Sequence, residues 1–131
     1  MKTFALRLKP NSDLKEELIK FSKLNNIQSG FILTCVGSLK KAALRLADLE
    51  VKSFDENFEI VSLVGTICLE DVHIHISLSD KNGKVIGGHL KEGCIIYTTA
   101  EIVIGLSEEF IFTRELDEST NFKELVIKNK E

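Results

Sequence analysis

One stretch of this chain clearly repeats its apolar residues at helical spacing, and that restricts the fold more than any other feature. Leu14, Leu18 and Phe21 recur every three or four residues, with Leu24 and Ile27 extending the same face. This is the stripe of an amphipathic helix. Asp13 three residues before Glu16 fits a capping box, in which a short side-chain oxygen accepts from the free N–H groups of the first turn. The pair Asn25–Asn26 ends the helix. Nearly everything else reads as strand. Tight turns join several of these strands, which favours antiparallel pairing. The expected class is therefore α+β: a mainly antiparallel sheet of about seven strands with one amphipathic helix packed on it.

Strand signals fill the rest of the chain. Residues 3–8 set Phe4, Leu6 and Leu8 on alternate positions, and Pro10–Asn11 breaks the pattern. Residues 31–36 form an apolar run that ends at Gly37–Ser38, and 43–49, whose pattern fits strand or helix, is taken as a further strand. Residues 58–69 are rich in β-branched side chains, with Gly65 marking a bulge or a close approach. Residues 72–79 and 84–90 flank Asp80-Lys81-Asn82-Gly83, a strong hairpin signal. Further strands are expected at 94–106 and 110–114, and an edge strand at 123–128.

With 131 residues, 44% of them hydrophobic and 28% charged, the chain has the make-up of one domain, 1–131, able to bury a core without covalent staples. No apolar run reaches the ~18 residues that span a bilayer. Residues 1–10 alternate charged and apolar side chains and lack the pattern of a signal peptide, so the expected address is cytoplasmic. Cys35, Cys68 and Cys94 are odd in number, widely spaced and set in apolar runs, which reads as buried, reduced thiols. The net charge is −3, and the largest basic cluster is the pair Lys40–Lys41. A domain that grips phosphates usually concentrates Lys and Arg on one face, so this balance argues against nucleic acid as the main partner.

All three histidines fall between positions 73 and 89. His73 and His75 sit two apart on one expected strand and leave it on the same face. His89 lies on the next strand, and the loop decides its direction. A two-residue turn at Asn82-Gly83 sets His75 opposite Leu90 and turns His89 away. A three-residue loop, Lys81-Asn82-Gly83 with Gly83 left-handed, sets His75 directly opposite His89. A bulge at Gly87–Gly88 would shift this parity again. On the converging register, three neutral imidazoles form a set of the catalytic zinc type, with the fourth position open. Nickel, copper and iron accept the same donors. Ordinary polar residues on a solvated strand are the alternative.

These same residues carry a family likeness. His73-Ile74-His75, then Asp80-Lys81-Asn82-Gly83, Gly87-Gly88-His89-Leu90, Gly93 and Thr99-Ala100-Glu101 resemble the central signature of the stand-alone prokaryotic PPC domain, "plants and prokaryotes conserved". Phe58-Glu59-Ile60-Val61-Ser62-Leu63 is similar to a segment of its plant members, and Gly30, Gly37-Ser38-Leu39, Phe112-x-Arg114, Asp117 and Lys123-Glu124-Leu125 look like further family positions. The likeness runs from about Phe4 to Ile127. It implies an antiparallel sheet with a packed helix, a homotrimer, and a divalent metal, most naturally Zn2+, on His73, His75 and His89. Asn121 stands where the family pattern has glycine; asparagine tolerates a left-handed turn best after glycine. The DNA-binding description often given to the family rests on an Arg-Gly-Arg hook in plant members, which this chain lacks.

Glu101 is a candidate general base beside a metal-bound water, against the plainer role of a polar strand residue. Arg114 suits an anionic ligand or a partner carboxylate across an interface, against an ion pair with Glu115 or Asp117 of the same chain or of a trimer mate. Three functional readings are consistent with these residues: a trimeric metal-binding domain, a DNA-associated regulatory protein, and a zinc-dependent lyase or hydrolase acting on a small molecule.

Overall fold

The computed structural model describes residues 1–131. The chain runs β1 (Lys2–Leu8), α1 (Leu14–Leu24), β2 (Gly30–Arg45), β3 (Val51–Phe54), β4 (Phe58–Ile67), β5 (Val72–Ser79), β6 (Val85–Leu90), β7 (Ile95–Leu106), β8 (Phe110–Asp117) and β9 (Phe122–Asn129). Seven strands form one antiparallel sheet and β8–β9 form a separate two-stranded ribbon, so the α+β expectation holds. No helix is long and apolar enough to cross a membrane.

The helix forms where its stripe and cap place it. Asp13 Oδ1 accepts from the Glu16 N–H at 3.1 Å, while Asp13 Oδ2 accepts from the Gly93 N–H at 2.7 Å and ties the helix start to the loop before β7. Glu16 and Glu17 in the first turn and Lys23 in the last complement the helix dipole. Leu14 and Leu18 are fully buried, and Phe21 meets Phe4 edge-to-face with ring centroids 6.0 Å apart. The stripe stops there. Leu24 is 82% exposed, because the chain reverses at Asn26 (φ 52°), and Ile27 returns to the core from the loop beyond.

Strand β2 organises the sheet. The apolar run does not end at Gly37–Ser38; β2 continues through both residues for 16 in all. Register shifts against β7 at Ile32/Thr34, Gly37/Leu39 and Leu39/Lys41 bend it while keeping it paired. Its first part lies between β4 and β7, and its last residues pair with β3 and β6. Since β6 also pairs with β5 and β5 with β4, the strands β2, β4, β5 and β6 close on themselves. Ile74, Ile76 and Leu78 of β5 point into the closed core, so His73, His75 and Ser77 point out of it.

The β8–β9 ribbon turns at Asn121 (φ 63°), the left-handed conformation expected there. It is fastened to the body by Phe112 N–H donating to Gln28 O at 3.1 Å and by two bonds of Arg114.

Candidate metal centre

The hairpin between β5 and β6 takes the three-residue form. Asp80 N–H donates to Lys84 O at 2.9 Å, and Gly83 N–H donates to Asp80 O at 3.0 Å. Asp80 Oδ1 accepts from the N–H groups of Asn82 and Lys84, both at 2.9 Å. Gly83 has φ 78°, which glycine adopts without steric cost. The resulting pairing runs from Ser79 with Val85 through to His75 with His89, with no shift at Gly87–Gly88. Gly88 is instead a close approach: a Cβ there would lie 2.9 Å from Arg45 O on β2. The β2–β6 pairing sets Arg45 opposite His89.

The three imidazoles therefore converge. Their ring centroids are 5.2 Å (His73–His75), 5.1 Å (His73–His89) and 5.6 Å (His75–His89) apart. One ring nitrogen of each lies within 4.8 Å of the others. Tetrahedral zinc with ~2.0 Å bonds to nitrogen needs ligand atoms ~3.3 Å apart, which small side-chain rotations supply from here. The protonation state suits a ligand set. Burial first, and then the Arg114 charge, hold His73 below the usual imidazole range. Burial and then Arg45 push His89 down to about 4. Both rings are neutral near pH 7, with a lone pair to offer. Arg45 Nη2 lies 3.3 Å from His89 Nδ1. Arginine has no acceptor, so in this arrangement Nδ1 accepts and the proton of the neutral ring sits on Nε2. A metal on either nitrogen of His89 must displace that hydrogen bond.

Glu101 is not part of this cluster. It lies exposed on β7, opposite Arg7 of β1 and Val36 of β2, with Thr99 Oγ1 3.5 Å from its carboxylate. On β2, Glu101 faces Val36 while His89 faces Arg45, so the two lie far apart along that strand. Arg114 makes no ion pair with Glu115 or Asp117; its Nη2 donates to Thr66 Oγ1 at 2.9 Å. Of the thiols, Cys68 and Cys94 are buried and Cys35 half-buried, all free, and burial pushes Cys35 and Cys94 up to about 11. The residue that sequence reasoning missed is Arg45. Its position follows from the contact of β2 with β6, which no local pattern marks.

Residues 1–108 match the family model of the Plants and Prokaryotes Conserved (PCC) domain. The chain belongs to that family. The β8–β9 ribbon lies beyond the matched part of the PCC domain. The chain is 46% identical over 128 residues to a bifunctional protein GlmU from Synechococcus sp. strain JA-3-3Ab, covering 97% of this chain and 21% of that protein. It thus spans about a fifth of the length of this curated relative. A hypothetical protein from Salmonella enterica has the same fold with a TM-score of 0.95 and 36% identity, over 98% of this chain and 94% of the other. A metal-containing protein from Archaeoglobus fulgidus matches with a TM-score of 0.82 and 29% identity, over 96% and 94%.

Proposed function

We propose that this chain is a metal-binding PCC-domain protein that holds one divalent ion, zinc, on His73, His75 and His89, and that it works as a homotrimer in the cytoplasm. The observation that carries the metal reading is the convergence of three ring nitrogens within 4.8 Å on one sheet face. The metal-containing Archaeoglobus relative supports it. Three protein ligands leave one coordination position open, so a bound ion would supply a Lewis acid accessible to a small molecule. The chain's own contribution is to keep His73 and His89 neutral and to aim all three rings through the hairpin register. The trimer reading rests on apolar side chains left exposed on adjacent strands: Val36 on β2, Val61 and Val64 on β4, and Tyr97 on β7. Closed cyclic assembly would cover them.

The test is competition for Zn2+ between metal-free protein and a chromophoric chelator. One ion per chain is expected. Each of His73→Ala, His75→Ala and His89→Ala should lower affinity by roughly 100-fold or more, since loss of even an outer-shell partner costs 10–100-fold. Equal affinity in the wild type and in a variant lacking all three histidines would refute the assignment.

A further inference from the structure

His73 and His89 themselves line a hollow of about 370 Å³, walled also by α1, β2, the loops beside the ends of β5 and β6, and the β8–β9 ribbon. Five cations line it: Lys15, Arg45, Lys91, Arg114 and Lys123. The acids on its wall are Glu70, Asp71 and Glu124. Two of these already serve local donors. Glu70 Oε2 accepts from the Arg114 backbone N–H at 2.8 Å, and Asp71 Oδ1 accepts from the Val72 N–H at 2.7 Å. The chain's single ion pair within 4.0 Å is Lys15 with Glu92, at 3.5 Å. Neither arginine therefore has a carboxylate partner.

Both guanidinium groups are nevertheless held in place. Arg45 lies over the Phe122 ring, 5.6 Å from its centroid, and bonds His89 Nδ1. Arg114 bonds Thr66 Oγ1. Each has five N–H donors and uses one on the protein, so most of each planar fork stays open. Both side chains are half-buried, where a charge is less screened than at the surface. Fixed, unpaired guanidinium forks match the oxygens of a carboxylate or a phosphate group.

We propose that this hollow is an oxyanion seat, in which Arg45 and Arg114 bind the carboxylate or phosphate group of a small anionic ligand beside the histidine triad. The seat lends the proposed metal centre a ligand class: an anion whose charged group sits on the arginines while the rest faces the open coordination position. That last link rests on the metal reading; binding of the anion itself does not.

The experiment is calorimetric titration of the metal-free full chain with inorganic phosphate and, separately, malonate, at ionic strength held constant with chloride. At least one should bind with a dissociation constant of about 1 mM or tighter, and which one does so identifies the group recognised. Arg45→Gln and Arg114→Gln should each weaken binding about tenfold or more, and Arg114→Lys, which keeps the charge without the fork, should weaken it as well. Arg45→Gln should still bind Zn2+, because it frees the His89 nitrogen. His75→Ala separates this proposal from the metal reading, since it removes a metal ligand that hydrogen-bonds neither arginine: Zn2+ binding should go and anion binding stay. Anion binding without any Zn2+ binding in the wild type would sink the metal reading and leave the seat standing. Absence of anion binding at tens of mM, or equal weakening by Lys41→Gln at an exposed site outside the hollow, would overturn the seat.

Discussion

Replacing Gly83 by alanine separates what the turn contributes from what the core contributes. Gly83 sits at φ 78°, and a Cβ built there meets no atom within 4 Å. No steric clash with the rest of the chain is added, so the cost is that of holding an L-residue in the left-handed region, ~1–2 kcal/mol. For a chain of this length that is a fall in melting temperature of roughly 4–7 °C at fixed protein concentration. The metal centre should survive it. Slipping β6 by one residue would turn Leu90, now 1% exposed, out of the core. Loss of that burial costs roughly 1.5–3 kcal/mol, before counting broken ladder bonds. The assay is thermal unfolding followed by Zn2+ competition on the same samples. Gly88→Ala is the contrast, because its Cβ would press on Arg45 O at 2.9 Å and displace the strand that carries His89. If Gly83→Ala stays folded but loses Zn2+ affinity, the turn rather than the core holds the register, and the reasoning fails.

Three further outcomes are expected. Because burial and Arg45 depress His89 to about 4, the metal-free folded chain binds fewer protons than the unfolded chain between pH ~6.5 and ~4. Its stability should therefore fall as pH drops through that window, and urea midpoints of His89→Gln should fall less; an equal fall would show that His89 does not carry the effect. Light scattering at micromolar concentration should give three times the 14.7 kDa chain mass, and a monomer there would exclude the trimer. In electrophoretic shift at two salt concentrations, DNA should bind weakly and lose most of that binding at the higher salt; tight, sequence-selective binding at physiological salt would contradict this.

The helix, the hairpin and the histidine face were legible because each depends on neighbours in sequence. Asp13 caps the helix that begins at Leu14, and the three-residue loop Lys81 to Gly83 is one that a register with His75 opposite His89 can use. The illegible parts depend on distant strands. The bulges in β2 break its alternation, so one 16-residue strand reads as two pieces. Strand β3 is four residues long and largely exposed, too short to show a period. Leu24 continues the helical spacing but lies where the chain has begun to turn away. Arg45 reaches His89 only because β2 curls back onto β6, and Glu101 misses the histidines because it faces β2 at Val36, far along the strand from Arg45, which faces His89.

The proposed centre holds one divalent ion on His73, His75 and His89. Metal analysis by mass spectrometry on the full chain, purified without an affinity tag and dialysed against Zn2+, tests it most directly. The wild type should carry about one ion per chain, and the variant with all three histidines replaced by alanine should carry none. Equal metal content in the two proteins would rule out these histidines as the ligands.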